Sequence, residues 1–131
     1  MMTLHTTLTA ATSTFFAILF LQSGLDKVID WKGNFEFHTS HFANSPLKKI
    51  APTMLVVITI MEVSCGLMSA GGLLFFLVKD DPSLSFYACG LASLNFLALF
   101  FGQRVSKDYK GAAVLVPYFI LSLIGMYVTS I

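Results

Sequence analysis

Residues 54–76 read MLVVITIMEVSCGLMSAGGLLFF, an apolar run broken by a single carboxylate, Glu62. A run of about 20 apolar residues crosses the hydrocarbon core of a bilayer as one helix. An ionisable group inside such a helix is costly enough to need a partner or a task. The stretch therefore decides two things together: the chain is a membrane protein, and its function turns on what Glu62 faces.

Outward from this run, three more apolar windows appear, so that the spans fall at about 9–28, 54–76, 84–101 and 112–129. Composition agrees. Of 131 residues, 56% are hydrophobic and 11% charged, too little polar surface to clothe a soluble globule. The mean hydropathy is +0.78. The spans use the whole chain, residues 1–131, as one polytopic domain. Gly, Ala and Ser recur in them at helical spacing, which predicts an all-α integral membrane four-helix bundle. A transmembrane barrel would show alternating segments of about ten residues, and is excluded. The first span reads as a mature helix rather than a secretory signal, because no Lys or Arg precedes it and Gln22 to Asp26 offers no small-x-small cleavage site. A net charge of +1 without a basic stripe excludes nucleic acid as a partner.

Charge orients the bundle. The connector after span one and the connector after span three hold Lys27, Lys32, Lys48, Lys49, Arg104, Lys107 and Lys110, whereas the opposite side holds Lys79. The positive-inside rule makes both connectors cytoplasmic and puts both termini outside, with a short hairpin at Lys79 to Pro82. The first connector, about 25 residues, is too long to be a plain loop in so small a protein. Trp31, Phe35, His38 and Phe42 recur at helical spacing beside Asp30, Lys32, Asn34 and Glu36, which predicts a short amphipathic helix in the headgroup layer. Ser45-Pro46 reads as a capping step, and Pro52 suits the first turn of the second span. His38 and His41, with Glu36 nearby, have a spacing at which imidazoles share a metal. Real sites need three or four convergent ligands, so the reading is interfacial packing and no metal.

Small residues predict how the spans meet. Cys65, Gly66, Ser69 and Ala70 flank Glu62 on the second span, and Ser85, Ala88, Ala92 and Asn95 form a stripe on the third, so these two should pack face to face. Pro117 interrupts the fourth span and predicts a modest kink. At 1.5 Å per residue, Glu62 lies about 12 Å, and Gln22, Asn95 and Tyr118 about 9 Å, inside the cytoplasmic ends of their spans. Lys27 stands just below, on a stem long enough to reach up. The expected site is a polar cluster of Gln22, Lys27, Glu62, Asn95 and Tyr118. As structural glue it would hold Glu62 uncharged or paired with Lys27. As a functional site it would hold the polar head of a lipophilic ligand such as a quinone, or pass a proton.

Several chemistries lack their residues. No histidine falls in any apolar window, so bis-histidine haem ligation is not expected. Cys65 and Cys89 are lone cysteines near mid-membrane and read as small buried hydrophobes. There is no glycine-rich phosphate loop, nucleophile elbow or H-E-x-x-H. Nothing reads as a self-sufficient enzyme.

Three elements together resemble the DoxX family of small four-helix bacterial membrane proteins: Gly24-Leu25-Asp26-Lys27, Glu62-x-x-x-Gly66-Leu67 with Gly71, and the connector from Gly102-Gln103-Arg104 to Lys107-Asp108-Tyr109-Lys110-Gly111-Ala112-Ala113. Asp30-Trp31-Lys32-Gly33 is similar to the Bacteroidetes-type branch. The resemblance implies a bacterial cytoplasmic (inner) membrane and singles out Lys27 and Glu62. It also implies a link to redox assemblies, since relatives include subunits associated with thiosulfate:quinone oxidoreductase. Family members often carry an arginine early in the first helix, which this chain lacks. The expectation is a small accessory subunit of a larger redox-linked membrane complex. The alternatives are a quinone-binding oxidoreductase subunit, with Lys27, Glu62, Asn95 and Tyr118 at the quinone head, and a proton or small-solute carrier using Glu62.

Overall fold

Each helix of the protein starts on a polar or proline signal that stands outside its apolar window. The computed structural model describes residues 3–131. Thr3 accepts a hydrogen bond from the Thr6 N–H at 3.1 Å and so begins α1 (Leu4–Ile29) ahead of the window. Asp30 accepts from the Gly33 N–H at 3.2 Å and begins α2 (Trp31–His41). The Ser45 hydroxyl accepts from the Leu47 N–H at 2.9 Å, and a 3-10 turn over Lys48–Ile50 leads into α3 (Ala51–Lys79), with Pro52 in the first turn. After Asp80 to Pro82 come α4 (Ser83–Val105) and α5 (Tyr109–Ser130), the latter capped by Asp108, which accepts from the Gly111 N–H at 2.9 Å. The fold is all-α, with no strand among the described residues.

Four helices, with the 3-10 turn counted as part of the second, are long and apolar enough to cross a membrane. They outrun the apolar windows because a window marks the hydrocarbon core, whereas helical hydrogen bonding continues into the headgroup layer until a cap ends it. One consequence corrects the sequence reading: α1 starts at Leu4, so His5 stands on a spanning helix, its ring 6.1 Å from that of Phe76. α5 runs through Pro117 without a break in the helix.

α3 is the centre of the bundle, with α1 along one side and α4 along the other, while α5 packs chiefly on α4. The face-to-face packing of α3 and α4 expected from their small residues is present. The α1 seam is closer still. A side-chain carbon placed on Gly66 would stand 2.8 Å from the Leu21 backbone nitrogen, and one on Gly24 would stand 2.7 Å from Val63. Gly66 and Gly24 are thus reciprocal notches, and van der Waals packing between helix backbones at this distance supplies the association that lipid does not drive. Gly72 does the same against Ser85 on the α4 side. Phe16, Phe20, Cys65, Cys89, Ala92 and Phe96 fill the space between the seams. Cys65 and Cys89 are buried and unbridged.

His5 beside Phe76 brings the start of α1 to the hairpin end of α3, and Thr129 to Ile131 share a surface pocket with Pro82 and Ser83. The start of α1, the end of α5 and the hairpin therefore share one end of the bundle. The two basic connectors share the other, where His41 meets Gln103.

Candidate functional site

Two polar groupings tie the basic end of the bundle together. The first is the Glu62 layer. The notches Gly24/Val63 and Leu21/Gly66 fix the α1–α3 register so that Glu62 faces the last turns of α1. Lys27 Nζ stands 3.0 Å from Glu62 Oε1 and donates to Oε2 at 3.2 Å. It also donates to the Ser23 hydroxyl at 3.0 Å. The Glu62 side chain is 3% exposed and that of Lys27 20%, so the lysine head keeps an outlet toward the headgroup layer.

The other expected members of the cluster occupy the same height with different outlooks. The contacts Gly72/Ser85 and Met54/Gly102 define an antiparallel α3–α4 register in which Asn95 falls opposite Glu62. Asn95 is fully buried, and neither its amide oxygen nor its nitrogen has a hydrogen-bond partner in the protein. Tyr118 is half-buried, and its ring stacks on Phe96 at 5.8 Å and Phe15 at 6.2 Å. Gln22 is exposed. The structure thus joins Lys27 directly to Glu62, sets Asn95 across from the pair, and gives Tyr118 and Gln22 other surroundings.

Above this layer, toward the termini, the seam between α1, α3 and α4 carries small polar side chains. Ser13 and Ser85 hydroxyls meet at 2.9 Å. The hydroxyls of Thr9 and Ser69 are buried without a hydrogen-bond partner. A buried polar group left unmatched costs about 1–3 kcal/mol, and internal water is the usual remedy.

The second grouping is at the extremity of this basic end, and sequence reasoning missed it. α3 projects below the Lys27–Glu62 pair, since Glu62 lies about 16 Å along α3 from Ala51 whereas Lys27 lies about 3 Å from the end of α1. α2 folds back against this overhang. Phe42, 5% exposed, inserts between α3 and α4, where a side chain on Gly102 would meet its ring at 3.4 Å. The result is a groove of about 540 Å³ between α2, α3 and α4. Its walls are mostly aliphatic, including Met54, Val57, Met61 and Leu99, and its mouth is polar. There His41 Nε2 stands 2.8 Å from Gln103 Oε1, 3.2 Å from the Ser106 hydroxyl and 3.7 Å from Asp108 Oδ2. His38 also lines the groove. Burial pushes its imidazole below the ordinary value of 6.5, opposed by a hydrogen bond with the Ala51 backbone and helped by the nearby charges of His41 and Lys27.

The sequence carried one signal for this region. Asp30-x-x-Gly33 and Asp108-x-x-Gly111 are the same device, an aspartate capping a helix through the N–H of its third residue, where the carboxylate lies in the space that a side-chain carbon on the glycine would take. The repeated device marks where each basic connector turns back into a helix. Among the described residues no three His, Cys, Asp or Glu side chains gather as a metal site. No family model, curated protein or solved structure matches this chain.

Proposed function

We propose that this protein is a DoxX-like integral membrane protein of the bacterial inner membrane, acting as a small accessory subunit of a larger, redox-linked complex. The observation that carries the reading is the way the quoted elements use one another. Gly24 and Lys27 of the first element lie directly against Val63 and Glu62 of the second, as a notched seam closed by an ion pair. The third element supplies Gln103 and Asp108 to the His41 contacts. Residues that carry the resemblance thereby build the molecule's two joints.

The state of the pair favours a structural part over a quinone head at the Glu62 layer. Lys27 and Glu62 satisfy each other, and neither lines the groove below them. Outside the bundle, α5 presents Val114, Ile120, Ile124 and Tyr127 as exposed apolar side chains that lipid or partner helices would cover. On this reading the basic connectors are cytoplasmic and both termini lie outside.

Extraction from native membranes in mild detergent through a tag on Ile131 tests the proposal, with mass spectrometry of the co-purifying proteins. Stoichiometric larger subunits are expected; a chain recovered alone refutes the accessory role. A second reading, a proton carrier using Glu62, draws support from Thr9, Ser69 and Asn95, buried polar side chains without partners on the helices that meet around Glu62. Proteoliposomes with an internal pH dye test it: proton uptake that Glu62→Gln abolishes would favour carriage over a purely structural pair.

A further inference from the structure

We propose that the groove between α2, α3 and α4 binds an uncharged lipophile with one long apolar tail and a head bearing both a hydrogen-bond acceptor and a donor, the chemistry of a quinol or an acylglycerol. Its volume, about 540 Å³, falls inside the about 300–1,000 Å³ usual for small-molecule sites. Such sites join an apolar body to a few convergent polar groups, and this groove has that division along its length. From Ile50 to Met61 the α3 wall runs about 16 Å, room for a tail lying along the helix. At the mouth the amide of Gln103 and the carboxylate of Asp108 each stand within 4 Å of the ring nitrogen of His41, so that three separate segments converge there.

The charges at the mouth select the head. Asp108 is the one carboxylate in the lining, and its field disfavours a phosphate or carboxylate head. None of Lys48, Lys49, Arg104, Lys107 and Lys110 lines the groove, so no lysine or arginine stands in it to pair with an anionic head. Arg104 is turned onto the ring of Tyr109 at 4.7 Å. A neutral head suits what remains: His41 Nε2 donates to Gln103 Oε1 and holds that amide in place, the Gln103 NH2 donates to a carbonyl or hydroxyl oxygen, and Asp108 accepts from a hydroxyl. α2 is then the wall that holds the head, with Phe42 as its anchor between α3 and α4. Nothing here rests on the accessory-subunit reading: a chain that purifies alone but filled with lipophile overturns that reading and supports this one.

The test uses two photoreactive probes in detergent, a diazirine-bearing long-chain alcohol and the phosphate ester of the same alcohol, with labelled peptides mapped by mass spectrometry. The alcohol should label residues 54–61 and 98–103 in preference to α1 and α5, and should exceed the phosphate by about tenfold, the worth of one or two hydrogen bonds. Competition by decylubiquinol or by monoolein identifies which source of the shared chemistry fits. Gln103→Leu should weaken labelling about tenfold. Because that change also removes a contact of His41, Ala98→Trp serves as a second variant: it fills the groove from an exposed lining position, leaves the His41 contacts in place, and should abolish labelling. Preference for the phosphate ester, labelling spread evenly over all four spans, or full labelling of Ala98→Trp would each overturn the proposal.

Discussion

The Lys27–Glu62 pair and the His41–Gln103–Asp108 grouping both join a connector region to the bundle, yet one is shut and the other open. In the first, a buried carboxylate meets a part-buried lysine head in a seam so close that its glycines admit no side chain, and that head donates to both Glu62 and Ser23. In the second, half-exposed groups converge at the rim of a groove that no side chain fills. The difference teaches where stability and where binding reside. A buried pair that satisfies itself has nothing left for a ligand, while a looser polar rim over an apolar trough has spare hydrogen-bonding capacity.

The contrast breaks most readily at the closed end. Removing one partner of a buried pair leaves an uncompensated charge and costs about 3–5 kcal/mol, whereas replacing both partners by apolar groups is often neutral. Glu62→Ala should therefore lower stability in detergent by about 3 kcal/mol, with Lys27→Met in the same background recovering most of it. Thermal melts of the two single variants and the double variant check this. Equal melting of Glu62→Gln and the wild type would remove the ion pair from the account.

A slightly smaller effect is expected where the seam has no charge at all. Gly66→Ala puts a carbon 2.8 Å from the Leu21 backbone, so α1 must move away from α3, an overpacking cost of about 1–3 kcal/mol. Gly90 is the control. A carbon there meets only the end of Met126 at 3.7 Å, so Gly90→Ala should be neutral or gain up to about 1 kcal/mol from helix propensity. If the two substitutions melt alike, the notches are not what holds α1 to α3.

The closed joint was legible in the sequence and the open one was not, for different physical reasons. Glu62 declared itself because a carboxylate inside an apolar run is rare, and Lys27 because no other basic residue borders the first span. Depth arithmetic set Gln22, Asn95 and Tyr118 at the same height, but height is only half of a position. The buried stripe of α1 includes Phe20 and Gly24, and Gln22, two residues from each, points about 200° around the helix from both. Asn95 is level with Glu62 by register and fully buried, although what its amide binds was not written in any local pattern. The groove exists only because α2 turns back under α3 and α4, a long-range event. The expected stripe of Trp31, Phe35, His38 and Phe42 located the helix but not its inner face, since Phe42 is 5% exposed whereas Trp31 and Phe35 are each 36% exposed.

At the open joint, the caps offer a comparison inside the comparison. Asp30 and Asp108 each hold the first turn of a helix through the same bond to a glycine N–H, and loss of such a cap costs about 1 kcal/mol. Asp30→Ala should show that cost alone. Asp108→Ala should show it together with looser His41, seen as faster hydrogen exchange across α2, because Asp108 also faces the imidazole. Identical exchange in the two variants would mean that Asp108 contributes a cap and nothing more.

The gentlest perturbation is acid, and it should act on the open joint before the closed one. His38 titrates at an ordinary 6.5 once α2 is undocked, and lower than this while burial beside Phe42, 4.8 Å away, disfavours its charged form. Between those two values the undocked state binds more protons, so docking is fully supported above pH 6.5 and is lost as the pH falls through the lowered value. The charges that face His38, those of His41 and Lys27, act in the same direction, since a second positive charge among them is repelled. Amide exchange of α2 followed from pH 8 to pH 5, corrected for intrinsic rates, should accelerate on the acid side, and His38→Gln should flatten the dependence. Protection that rises on acidification would mean that the imidazole gains a partner when charged, and the inner wall of the groove would then be held by something other than apolar burial.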